Sequence, residues 1–356
     1  MVYGENRDVM RILYGVSGDG FGHASRAKVV GGYLKEWGHE LKIMTYGRGY
    51  ETLKDDFDVF EVKGMEIQFV KGELNRRSTI VYNAKVVADN ISKWRRFREL
   101  MNDYNPDLCI SDMEPIVPIL KFWYRKPLIC LDNQHQITHL RIDVPRKYYA
   151  DFLASKAVIE SFVSRAEHFI ITCFVEAEIK RPNTTIVPPV IREEVTRLEP
   201  SYGKKFLVYL TRENQNVIDI LSQFNEEFVV FGYNVNRKEN NLEYKTRDFF
   251  LDELKTCRAI IATAGFTLIS EALYLKKPYL ALPLKGQFEQ VLNSLFLKQA
   301  GYGDYSDELG PEDVSAFLEQ RSMFEQRLSD YKLDFEKLPD TLKHLINEER
   351  IVKSSG

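Results

Sequence analysis

The chain has 356 residues, of which 44% are hydrophobic and 28% charged, a composition typical of folded proteins that excludes a disordered or fibrous chain. This length exceeds what one hydrophobic core usually reaches, so two domains are expected. A formal net charge of -3, from 49 basic and 52 acidic residues, offers no general attraction to a polyanion, and nucleic-acid binding is not expected.

The opening MVYGENRDVMR carries no apolar leader, and no run reaches the ~18 apolar residues of a membrane span, so a cytoplasmic protein is expected. Short apolar, β-rich runs then alternate with helical patterns. In the first half they cover 10–17, 40–46, 58–62, 107–112, 127–133 and 168–174. In the second half they cover 205–210, 227–233, 258–263 and 279–284. Runs apolar on both faces, separated by helices, predict two α/β units with parallel sheets. The stretch 181–203 holds Pro182, Pro188, Pro189, Pro200 and Gly203 and reads as a linker, which predicts domains over 1–190 and 201–356. Beyond Pro311 the pattern is helical and charged, as expected of helices that close the second domain. Cys109, Cys130, Cys173 and Cys257 form no CxxC pair and read as free thiols in a reducing compartment.

The first strand runs into Gly18-Asp19-Gly20-Phe21-Gly22-His23-Ala24-Ser25-Arg26 and then a helix. Strand, glycine turn and helix start together bring bare amides and a positive helix end to the carboxyl edge of a sheet, where anions bind. A dinucleotide site would need GxGxxG and an acid ending the second strand, but the glycines fall at 18, 20 and 22 and that strand ends in Thr45-Tyr46-Gly47. A Walker loop fails for want of Gly-Lys-Ser/Thr. Two readings stay open: a tight turn capped by a histidine, and His23 as a general base that takes a proton from a hydroxyl near neutral pH.

The second half carries Ala262-Thr263-Ala264-Gly265-Phe266-Thr267-Leu268-Ile269-Ser270-Glu271, then Pro283-Leu284-Lys285-Gly286-Gln287-Phe288-Glu289-Gln290-Val291-Leu292-Asn293. The helix start after Gly265 and the Thr267 hydroxyl suit a diphosphate, and the Glu271 carboxylate can accept both hydroxyls of a ribose. The amides of Gln287, Gln290 and Asn293 pair donors with acceptors as sugar hydroxyls require. Taken singly, Glu271 also reads as a surface helix acid and Asn293 as a cap.

This segment resembles the C-terminal donor-binding region of GT-B-fold glycosyltransferases, especially family 28 and the N-acetylglucosaminyltransferase of peptidoglycan synthesis; the loop with His23 resembles that family's N-terminal catalytic loop. The resemblance implies an α/β protein of two Rossmann-like domains facing a cleft, the first binding the acceptor and the second a nucleotide sugar. It implies donor contacts at Gly20, Gly22, Gly265, Phe266, Thr267, Glu271, Gln287, Glu289, Gln290 and Asn293. It further implies a base-reading backbone at Phe250 and a small residue near the distal phosphate at Thr211. The family's glycine-rich loop at that last point is replaced by Thr211-Arg212-Glu213-Asn214, so diphosphate contact there passes to a side chain such as Arg212 or is lost.

Asp112 and Glu114 end one first-domain strand, and Asp132, Asn133, Gln134 and His135 end the next. They are expected to rim the acceptor side, with Asp112 or Glu114 orienting His23 or replacing it as base; helix capping by Asp112 and Asn133 is the competing reading. Val87, Ile91, Trp94, Phe97 and Met101 share one helical face, and Lys93, Arg95, Arg96 and Arg98, near Arg76 and Arg77, are basic. A helix over 87–101 of this kind predicts either peripheral contact with an anionic inner membrane face or a core helix with a solvated side.

The expected function is an inverting hexosyltransferase that needs no metal or other cofactor and moves a sugar from a nucleotide diphosphate sugar, UDP-linked, to a hydroxyl of a glycan or lipid-linked acceptor. Asp55-Asp56-Phe57-Asp58 lies in an apparent loop and is not placed to demand a metal. A nucleotide-sugar 2-epimerase of the same fold and a catalytically silent nucleotide-sugar sensor or partner subunit are the alternatives.

Overall fold

A computed structural model describes residues 9–64, 69–70, 73–74, 76–163 and 165–354. The chain divides into two compact units, the first Met1–Val70, Asn75–Val190 and Asp334–Gly356, the second Lys71–Leu74 and Ile191–Leu333. It is an α/β protein, and each unit is built on a seven-stranded sheet.

In the first unit the strands run, edge to edge, Asp58–Glu61, Glu40–Thr45, Arg11–Val16, Leu108–Asp112, Leu128–Asp132, His168–Thr172 and Thr184–Val187, all parallel. Leu108–Asp112 and Leu128–Asp132 are buried at every position, because crossover helices cover both faces of a parallel sheet. Ile12, Tyr14, Val16, Ile43, Ile110 and Leu131 form a core with Val30 and Leu34 of the helix Gly22–Glu36. Leu338, Leu342, Leu345 and Ile346 of the last helix, Lys337–Ser354, complete this same core. That helix therefore belongs to the first unit and not to a second domain over 201–356. Its hydrophobic side is matched to the first sheet, a pairing over more than three hundred residues of chain that local pattern cannot display.

The second sheet runs Arg237–Glu239, Leu242–Tyr244, Phe228–Phe231, Phe206–Tyr209, Ile260–Thr263, Tyr279–Leu282 and Gly303–Tyr305, parallel except for the antiparallel first pair. Val314, Phe317 and Phe324 of the helix Pro311–Ser329 cover it.

The ten expected strands are present within two residues of the predicted ends. Six more were not anticipated: Thr184–Val187, Arg237–Glu239, Leu242–Tyr244, Gly303–Tyr305 and the two-residue strands Phe69–Val70 and Glu73–Leu74. The first lies inside the proline-rich stretch expected to be a linker, which also contains a helical turn at Glu193–Thr196; the prolines flank Thr184–Val187 and leave its edge-strand hydrogen bonds intact.

The helix expected over 87–101 is two helices, Arg76–Ser92 and Trp94–Asp103, separated at Lys93 (φ -98°, ψ 12°). Phe97, Leu100 and Met101 are buried while Arg95, Arg96 and Arg98 are exposed. The apolar side of Trp94–Asp103 thus packs within its own unit, Phe97 against the rings of Phe60 and Trp94. The side chains of Val87, Ile91, Arg76 and Arg77 lie outside the described residues. Among the described residues no helix is long and apolar enough to cross a membrane.

Candidate functional site

Open α/β sheets bind ligands off the carboxyl ends of their strands, at the point where strand order reverses. In the first sheet that point lies between Arg11–Val16, whose successor pairs on one side, and Leu108–Asp112 on the other. The register sets Val16 opposite Asp112, and the amide of Ser17 donates to the Asp112 carbonyl at 2.9 Å. The chain then turns through Gly18 to Phe21 into the helix Gly22–Glu36. A Cβ on Gly18 would fall 1.9 Å from the carbonyl oxygen of Tyr46, so only glycine lets the turn lie against the neighbouring strand end. Gly20, at φ +83°, adopts the left-handed conformation that glycine favours, with open space where a side chain would project.

This turn delivers His23 to the first turn of the helix, beside Asp112. His23 Nδ1 is 2.6 Å from Asp112 Oδ1. Arg26, three residues on and so on the same helix face, grips the carboxylate from the other side, Nε donating to Oδ2 and NH2 to Oδ1, both at 2.7 Å. Arg26 NH1 also donates to Asn133 Oδ1 at 3.3 Å. Asp112 is fully buried and Arg26 is 5% exposed. Burial opposes the guanidinium charge, but the Asp112 carboxylate outweighs it and holds the Arg26 pKa above its ordinary value. Because a carboxylate only accepts, the proton of a neutral His23 sits on Nδ1, which leaves the lone pair on Nε2. The Gln134 Nε2 amide lies 3.4 Å from that atom, and the His23 side chain keeps 13% of its surface exposed. The imidazole is thus oriented, hydrogen-bonded and still reachable.

Glu114, named with Asp112 as a candidate, has another role. Its Oε1 accepts from the Ile116 amide at 3.1 Å and its Oε2 from the Val117 amide at 2.8 Å, so it caps the helix Ile116–Tyr124. Burial pushes its pKa up to about 7, against the lowering effect of those two amides. Asp112 and Asn133, for which capping was the competing reading, instead share Arg26. His135, expected at the rim, is buried: its Nδ1 lies 2.7 Å from Asp132 Oδ2, its Nε2 3.3 Å from the Val163 carbonyl, and its ring packs on Phe169. The Cys130, Asp132 and His135 ligand atoms come within 4.8 Å of one another. They are the one such set among the described residues that could hold a metal ion, yet they already satisfy each other, the thiol donating to Asp132 Oδ2 at 3.1 Å.

The second sheet reverses order between Phe206–Tyr209 and Ile260–Thr263. Thr211 and Thr263 join their hydroxyls across this point at 2.7 Å. Gly265 then caps the helix Phe266–Tyr274, and a Cβ on it would meet nothing within 4 Å, so the turn has open space above the helix start. A helix start of this kind carries unpaired amides and a partial positive charge, which suits a diphosphate; Phe266 is buried there and Thr267 half-buried. Asn293, buried, donates from Nδ2 to the Ala264 carbonyl at 3.0 Å and so fixes this turn from the helix Phe288–Ala300. Gln290 spans its own loop, donating to Gln287 Oε1 at 2.6 Å and accepting from the Leu284 amide at 3.0 Å. Glu289 is half-buried in the first turn of that helix. Phe250 starts the helix Phe250–Thr256, its ring set edge-on to Tyr209 and Phe231. Asn214, in the segment that departs from the glycine-rich pattern, caps the helix Gln215–Leu221.

Glu271 is nearly fully buried and already doubly engaged, for Arg192 donates from Nε to Oε1 at 2.6 Å and from NH2 to Oε2 at 2.8 Å. Each carboxylate oxygen retains a second lone pair for a ligand hydroxyl. Arg26 and Arg192 are the site residues that sequence reasoning missed. Arg26 had a signal, a cation placed i+3 from the histidine on the side of the helix that carries Ala27 and Val30; Arg192, in the breaker-rich stretch, had none.

A sequence profile described as Glycosyl transferase family 1 matches residues 10–321. An uncharacterised glycosyltransferase of Methanosarcina acetivorans is 22% identical over 341 residues, covering 86% of this chain and 88% of the relative. The UDP-N-acetylglucosamine--N-acetylmuramyl-(pentapeptide) pyrophosphoryl-undecaprenol N-acetylglucosamine transferase of Alkaliphilus metalliredigens is 24% identical over 303 residues, covering 77% and 79%. Among solved structures, the calicheamicin glycosyltransferase CalG4 shares the fold, with a TM-score of 0.67 at 17% identity over 96% of this chain and 98% of its own.

Proposed function

We infer that this chain, which belongs to Glycosyl transferase family 1 and is a glycosyltransferase of GT-B fold, moves a sugar from a UDP-linked donor to an acceptor hydroxyl with inversion and without a metal. The observation that carries the reading is the pairing of His23 with buried Asp112 at 2.6 Å, which leaves Nε2 as the only lone pair on an accessible imidazole. In the proposed step His23 Nε2 takes the proton of the acceptor hydroxyl as that oxygen attacks the anomeric carbon. The bond from this carbon to the diphosphate oxygen breaks, and the diphosphate leaves with the electron pair. Such base catalysis is worth about 10² to 10⁴ in rate. The helix start after Gly265 would stabilise the charge that accumulates on the leaving group, and Glu271 would hold the ribose.

The relative named for UDP-N-acetylglucosamine supports a UDP sugar as donor. That relative's name, with its pyrophosphoryl-undecaprenol, also supports a glycan or lipid-linked acceptor. The test is a thermal-shift screen of nucleoside diphosphates and their sugars, followed by product analysis with the donor that stabilises best. A UDP sugar should raise the melting temperature, and UDP should be released only when an acceptor is supplied. Release of an altered sugar without acceptor would instead identify a 2-epimerase, and binding with no turnover a sensor.

A further inference from the structure

We propose that Arg26 is a positioning residue whose fork on Asp112 cancels the carboxylate charge seen by His23 and so keeps the imidazole neutral, and able to accept a proton, at physiological pH. The inference rests on the reading of His23 as the base.

A lone buried carboxylate within hydrogen-bond reach of an imidazole favours the charged imidazolium, and an opposite charge at such range moves a pKa by about one to three units. An imidazole held protonated at neutral pH is no base. Here the carboxylate oxygen that His23 meets at 2.6 Å also accepts from Arg26 NH2 at 2.7 Å, and this guanidinium nitrogen lies 3.2 Å from His23 Nδ1. The pair presents one negative and one positive charge at nearly equal range, both almost dry, so its net pull on the imidazole proton is small. Most of the described groups around the cluster carry no charge of their own. Gln134 and Asn133, from the loop after Leu128–Asp132, are neutral amides. Tyr14, on the first strand, and Cys130, on Leu128–Asp132, are buried, and burial raises both pKa values far enough to keep the phenol and thiol uncharged. Asp132 is buried and its charge also acts on Arg26, raising its pKa, but its own hydrogen bonds are with His135 and the Cys130 thiol, and it raises the His135 pKa in turn. Asp19, in the preceding turn, is exposed to solvent, where its field is screened. Arg26 is therefore the group whose loss would leave a bare negative charge against the imidazole.

The experiment is a pH titration of the His23 imidazole by NMR in the full chain, which needs no substrate, its resonance among the six histidines assigned by its absence in His23→Ala. In Arg26→Met the His23 pKa should rise by about one to three units. In Asp112→Asn, which keeps the guanidinium and removes its counter-charge, it should fall below the wild-type value. Arg26→Lys, which restores charge without the fork, should bring it back toward wild type. An unmoved titration in folded Arg26→Met would overturn the proposal. Should that variant not fold, an unmoved or raised value in Asp112→Asn overturns it equally. Failure of the base reading is separately visible: the titration would shift as stated, but His23→Ala would turn over like wild type.

Discussion

Each unit holds one buried carboxylate gripped bidentately by an arginine, and the two pairs differ in what else touches them. In the first, Asp112 is fully buried, Arg26 is 5% exposed, and the leftover acceptor capacity goes to His23. In the second, Glu271 is nearly as deep, but Arg192 is 28% exposed and nothing else in the structure contacts the carboxylate through a hydrogen bond that is described. Fork geometry is shared, so geometry alone does not separate them. Access does: the first pair is buried and spends its remaining hydrogen bonds on His23 and Asn133, whereas the second keeps one partner at water and has lone pairs to offer a ligand. On the proposed function, two arginine–carboxylate pairs of near-identical distances would serve as scaffold in one unit and as ligand-binding group in the other.

Substitution at each pair breaks or sharpens this contrast. On the first side, His23→Ala should lower turnover by about 10² to 10⁴ while donor affinity, read by calorimetry, stays at the wild-type value. Arg26→Met, which strands a buried carboxylate, should cost about 3–5 kcal/mol of unfolding free energy. Arg192→Met, with water able to reach the exposed side, should cost less, about 1–3 kcal/mol; equal losses in urea unfolding would erase the distinction. On the second side, Glu271→Ala should weaken donor binding by about 1.5–3 kcal/mol, with turnover at saturating donor much less affected than by His23→Ala. A third buried carboxylate supplies a control with no arginine. Glu114 has its folded pKa raised to about 7 from the ordinary 4.5, so its contribution to stability is complete below pH 4.5 and is lost as pH rises through 7. Wild type should shed up to about 1.4 kcal/mol per pH unit across that window, and Glu114→Gln, which cannot titrate, should lack this slope in pH-dependent unfolding.

The sheets were legible because buried parallel strands are nearly all apolar, and runs such as LCISD and LICLD carry that requirement in themselves. Polar or short edge strands such as Arg237–Glu239 did not show, since an exposed three-residue strand differs little from a loop. His23 and Asp112 were both readable as candidates from their places at strand ends, but their pairing was not, for it spans 89 residues. Arg192 meets Glu271 across 79. Partnerships of this length are made by sheet order and by buried charge seeking its opposite, and neither leaves a local trace. Glu114 and His135 went to capping and to the interior for the related reason that a polar residue near a strand end answers the backbone's needs as readily as a ligand's.

The last helix has a consequence for how the molecule is made. Leu338, Leu342, Leu345 and Ile346 sit in the interior of a unit whose other residues emerge from the ribosome first. Burying each such side chain contributes about 1.5–3 kcal/mol, a large share of the margin by which domains stay folded. The amino-terminal unit thus keeps one flank of its interior uncovered until residues 338–346 have been made, after Ile191–Leu333 of the other unit.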